Sequence, residues 1–122
     1  MKLRQFDFVD EKPAEVSVTV SSDVTSRSAL AELLSSRLGF PSHYTGRSWD
    51  ATYDCLTDFE WLDEGATVVI WHPSLPLLGP RDVRIYLEVL ADAAESWASD
   101  PALTFRAVFD AALRSKVSNL LD

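Results

Sequence analysis

The chain has 122 residues, 47% hydrophobic and 25% charged, the size and balance of one globular domain with a real core and too short for two full domains. Nineteen acidic residues against eleven basic ones give a formal charge of −8, which argues against a nucleic acid ligand, because affinity for phosphates is built from Lys and Arg. The single Cys excludes an internal disulfide, and no apolar run approaches the roughly 20 residues a membrane span needs.

Residues 3–9 and 15–20 read as two short strands separated by Asp10, Glu11, Lys12 and Pro13, an arrangement compatible with a hairpin. In the second, Val16, Val18 and Val20 alternate with Glu15, Ser17 and Thr19, the period of a strand with one buried face. Residues 26–38 place Leu30, Leu33, Leu34 and Leu38 on one helical stripe, which Gly39 stops and Pro41 closes off. Residues 40–46 are a loop by composition, and Ser48 is the expected N-cap of a helix running to about Trp61.

Val68, Val69 and Ile70 mark residues 66–71 as a strand covered on both faces, as in a parallel sheet. A helix over residues 81–99 lines up Val83, Leu87, Leu90, Ala94 and Trp97, and Asp100-Pro101 stops it. Residues 103–109 are β-prone although Arg106 interrupts them, and residues 110–122 read as a weakly helical C-terminal tail. The expected fold is therefore a single α/β domain over residues 1–122. It has a small, mostly parallel sheet of three core strands, an extra N-terminal strand within residues 1–13, and three to four helices.

The acid is concentrated. Between Arg47 and Glu64 stand Asp50, Asp54, Asp58, Glu60, Asp63 and Glu64, a local charge of −5. At about 100° per residue, Asp50, Asp54 and Asp58 fall one above another on a helix, while Trp49, Thr52, Leu56 and Phe59 take the opposite side and can bury it. Like charges at this spacing repel by a few tenths of a kcal/mol and Asp is a poor interior helix residue, so stability alone would not select three in register. A solvated face usually mixes signs, and this one has no Lys or Arg between Asp50 and Glu64. A soluble acidic helix and a preformed anionic binding surface are both open at this point, and the second explains more.

Phe40-Pro41, Tyr44, Gly46, Trp49-Asp50-Ala51 and Asp54-Cys55-Leu56 resemble the barstar family, with its Pro-Tyr-Gly loop followed by an Asp-Ala-x-x-Asp-Cys-Leu helix. The match is specific over about twenty residues; elsewhere only the order of elements agrees, and the segment through Pro13 looks like an addition. The resemblance implies a proteinaceous ribonuclease inhibitor, commonly an immunity protein, whose acidic side chains occupy the place of substrate phosphates. It implies no cofactor, no metal, and a basic nuclease bound one-to-one by a chain monomeric when free. By the same resemblance Asp54 matches the central carboxylate, Asp50 a second interface acid, Tyr44 and Gly46 the loop contacts, and Tyr53 the aromatic beside the central acid. Asp92 matches a further acidic contact on a later helix, whereas Asp58 rests on spacing alone. Thr45 and Arg47 depart from the family pattern and give the loop a different surface.

Other chemistry is poorly supported. Cys55 with His43 or His72 lacks any arrangement for a thiol hydrolase, and Cys55 falls towards the apolar side of its helix, where a buried, inert thiol is expected. His72, at a strand end before Pro73, is expected at the strand end or surface. Two His and one Cys have no metal-ligand spacing. Asp50 and Asp54 as an acid/base pair would need different environments across a cleft, which one exposed helix face does not supply. No catalysis is expected. The alternative to a nuclease inhibitor is an acidic interaction module for a basic partner that is not a nuclease. For inhibition, Asp82, on the later helix, should matter little. With no basic leader and apolar stretch at its start, the chain is expected in the reducing cytoplasm.

Overall fold

A computed structural model describes residues 2–41 and 48–122. Four strands, β1 (Phe6–Val9), β2 (Val18–Thr19), β3 (Ala66–His72) and β4 (Leu103–Asp110), form one sheet in the order β1-β4-β3-β2, and every neighbouring pair is parallel. The helices are α1 (Arg27–Leu38), α2 (Trp49–Leu56), α3 (Pro80–Ala98) and α4 (Arg114–Leu121). The α/β class, the parallel sheet and the extra N-terminal strand are as expected.

The hairpin is not. β1 and β2 lie at opposite edges of the sheet, because Phe6 and Phe8 pack their rings on Phe109 of β4, with centroids 4.8 and 5.7 Å away. The chain therefore crosses the sheet between them over residues 10–17. It then steps back through β2, β3 and β4 by way of the helices. Connections of one hand that travel in opposite senses must use opposite faces. Accordingly Val68, Ile70, Ala107 and Phe109 meet Leu30, Leu34, Leu87 and Leu90 in the main core on the helical side. On the other face Val69, Trp71 and Val108 form a smaller cluster covered by Val9 and Val16. β3 is thus buried on both sides as expected, but only one cover is helical.

β2 is shorter than the alternating valines predict. The Ser17 hydroxyl takes the Val69 N–H at 2.9 Å, so a side chain replaces the backbone acceptor there and regular pairing begins only at Val18.

The helix ends follow from local chemistry. Ser26 and Ser48 cap α1 and α2, each hydroxyl accepting a backbone N–H at 3.0 Å, from Ala29 and Ala51. Gly39, at φ 71°, takes the left-handed conformation that closes α1 with its N–H on the Ser35 carbonyl. Last-turn carbonyls, which have no partner inside a helix, are met by indoles: Trp61 Nε1–H donates to Leu38 at 3.0 Å and Trp97 Nε1–H to Leu56 at 2.8 Å. Trp97→Phe keeps a ring beside Phe59 and removes the donor on Leu56. It should cost about 1–2 kcal/mol in urea unfolding, with loss of helical signal from α2.

Residues 110–122 hold a 3-10 turn, Ala111–Leu113, and α4, whose Val117 is fully buried in the main core. The Arg114 guanidinium lies 5.0 Å over the Phe8 ring, tying α4 to the N-terminal strand.

Candidate functional site

α2 is a short helix with one buried and one open side. Thr52 and Leu56 are buried, Trp49 and Cys55 half-buried, and Asp50, Tyr53 and Asp54 exposed. Trp49 fixes the helix against α3: its ring lies 6.2 Å from that of Tyr86, and its indole N–H points to the Asp82 carboxylate at 3.4 Å. Asp50 and Tyr53 then form one wall of a shallow cleft whose other wall is Ile85, Glu88 and Asp92 of α3. Asp54 stands on the open side of α2, one turn after Asp50.

Both of these acids on α2 face water. Neither Asp50 nor Asp54 forms an ion pair with any described residue. The helix dipole favours Asp50 in the first turn, whereas Asp54 in the second gains little from it. Among the described residues no cation offsets Asp54, which stands one turn from the like-charged Asp50.

The third acid is placed differently from expectation. The helix ends at Leu56 rather than near Trp61, so Asp58 is exposed in the following turn and not on the helical ridge. The Thr57 hydroxyl donates back to the Tyr53 carbonyl at 2.9 Å, and the Trp97 indole closes the last turn. Phe59 then adopts φ 49° and turns its ring into an aromatic core with Phe40, Trp61, Trp97 and Phe105. Burying that ring outweighs the strain of one non-glycine residue at positive φ. The Asp58 carboxylate accepts the Glu60 N–H at 3.3 Å.

Asp92 reaches the same cleft as Asp50 and Tyr53, but Lys2 already pairs with it. Asp82 accepts the Trp49 indole N–H and is thereby tied to α2. Tyr44 and Gly46, with Thr45 and Arg47, lie outside the described residues.

Cys55 is half-buried, and its thiol is pushed above its usual pKa, first by burial and then by the Asp54 and Asp58 charges. A thiolate nucleophile is the opposite of what that environment favours. His72 ends β3 as expected but is buried rather than at the surface. Its ring stacks on Phe109 at 4.1 Å and is held between the Val108 carbonyl and the Tyr86 hydroxyl.

Local sequence pattern gives no sign of the roles of Lys2, Asp82 and Trp97. Their partners are 90, 33 and 41 residues away in sequence, so only the fold brings them together.

A family model described as Barstar (barnase inhibitor) matches residues 15–110, which include all of α2 and the cleft but not β1. No curated protein matches the chain.

Proposed function

From the premise that this chain belongs to the barstar family, we propose that it inhibits a basic ribonuclease by presenting the open face of α2 to the enzyme's active site. Asp54 is the central contact, flanked by Asp50 and Tyr53, with Tyr44 and Gly46 contributing from the preceding loop. The observation that carries the reading is a helix inside the family match on which Asp50 and Asp54 are exposed and unpaired with any described residue. A ribonuclease site holds Arg, Lys and His to grip a phosphodiester, and carboxylates satisfy those donors without offering a bond to cleave. The chain performs no catalysis. It acts in the cytoplasm of a bacterium as an immunity protein, and it is monomeric until it binds one nuclease.

Titrating the chain into a panel of barnase-type ribonucleases, with a fluorogenic RNA substrate, should give stoichiometric loss of cleavage for at least one enzyme at one-to-one. No inhibition across the panel, together with capture of a basic protein without nuclease activity on the same face, would favour a non-nuclease partner instead. Association should also be electrostatically steered. Raising salt from about 50 to 500 mM should slow it roughly tenfold or more, while dissociation changes much less. Stopped-flow fluorescence would measure both; a salt-independent on-rate would count against charge mimicry. Charge-steered association of barnase with barstar behaves in this way.

A further inference from the structure

The N-terminal segment lies outside the family match, yet it delivers a cation to the rim of the acidic cleft. Its placement is enforced by the core. Phe6 pairs in register with Ala107 of β4 and its ring is buried against Phe109, and the 3-10 turn Lys2–Gln5 leads directly into that strand. Lys2 is therefore held within one turn of a fixed point. Its Nζ donates to Asp92 Oδ1 on α3, and Glu88 and Glu95 of the same helix add attractive fields. Glu88 and Asp92 share the cleft with Asp50 and Tyr53.

A cation from a partner enzyme that enters this cleft would seek the same carboxylates. We infer that Lys2 acts as a built-in substitute for a partner cation at Asp92, so that the N-terminal segment sets which ribonucleases the cleft accepts; this rests on the inhibitory reading above. A nuclease that directs Lys or Arg at Asp92 must displace Lys2 or meet its charge, whereas one that engages only Asp50 and Asp54 does not. Specificity of this kind comes from a repulsive element as much as from an attractive one. Both partners are part-exposed, at 43% and 46%, so the contact can open without disturbing the core.

The test uses the ribonuclease that the wild-type chain inhibits. Association is followed by stopped flow for wild type, Lys2→Gln, Asp92→Asn and the double variant, at low and high salt. Lys2→Gln should speed association about two- to fivefold at low salt, with the gain vanishing at high salt; Asp92→Asn should slow it, and the double variant should return close to wild type. Because a purely structural ion pair would alter the unfolding midpoint and not the salt-dependent on-rate, unfolding is measured alongside. An on-rate unchanged or slowed by Lys2→Gln, in a wild-type chain that does inhibit, overturns this inference alone. A wild-type chain that inhibits no ribonuclease overturns the inhibitory reading and this inference with it.

Discussion

Asp54→Ala should weaken inhibition by about 2–5 kcal/mol, roughly 30- to 4,000-fold in the inhibition constant, while making the free protein slightly more stable. The two signs have separate causes. In the complex, Asp54 would be the partner of cations buried inside the nuclease, and truncating it strands them without a counter-charge. In the free chain the same carboxylate is exposed, unpaired with described residues, and one turn from the like-charged Asp50. Removing it relieves a repulsion of a few tenths of a kcal/mol and replaces a poor helix former with the best, a gain of about 0.5–1 kcal/mol in all. Opposite signs for inhibition and stability in one variant would mark Asp54 as a residue that serves binding at a cost to the fold.

The measurement is an inhibition titration and a urea unfolding curve on the same variant. Asp54→Asn separates charge from shape, and it should fall near Asp54→Ala if ionic contact dominates. Glu32, exposed on α1, supplies the control acid, because Asp82 is tied to Trp49 and would disturb α2. Equal loss of inhibition from Glu32→Ala and Asp54→Ala would mean that net charge, not a localised site, does the binding.

Much of this surface is legible in the amino-acid sequence. Ser48 as a cap, Thr52 and Leu56 as the buried side, and Asp50 and Asp54 facing water all follow from a period of 3.6 and the preferences of helix termini. What periodicity does not carry is where a helix stops when the stop is imposed from elsewhere. Residues 57–61 continue an acceptable pattern, but the Trp97 indole closes α2 at Leu56 and the aromatic core draws in Phe59. Asp58 leaves the ridge as a result. The same limit applies to β1. Its sequence announces a strand, yet its partner is set by Phe109, some hundred residues later, and the pairing with β4 that excludes a hairpin is a tertiary decision. Asp92 does line the cleft, whereas its neutralisation by Lys2 depends on that same distant pairing.

His72 should make the fold sensitive to acid. A carbonyl can only accept, so the Nδ1–H must donate to Val108 O at 3.0 Å, which leaves the Nε2 lone pair to accept the Tyr86 hydroxyl at 2.7 Å. Protonation would put a charge in a site with no solvent exposure and take from the Tyr86 hydroxyl the Nε2 lone pair it donates to. Burial accordingly lowers the His72 pKa to about 4 from the ordinary 6.5, and the backbone acceptors at Val108 and Ile70 only partly oppose it. Between those two values the unfolded chain takes a proton that the folded chain refuses. Stability from this group is thus complete above about pH 6.5 and declines as pH falls towards 4, by on the order of 3 kcal/mol in total. Urea unfolding at pH 7.5, 6.5, 5.5 and 4.5 should show the decline in wild type. His72→Gln, which fills a similar space and does not titrate, should start less stable at pH 7.5 and flatten the curve above pH 5, where few carboxylates have begun to protonate. Parallel curves would place the acid sensitivity elsewhere. Because the Tyr86 ring also supports Trp49 at the start of α2, loosening this pair in acid should weaken inhibition before the chain unfolds globally. Inhibition measured at pH 5 against pH 7.5, in wild type and His72→Gln, would show whether the binding face of α2 proposed here depends on that buried imidazole.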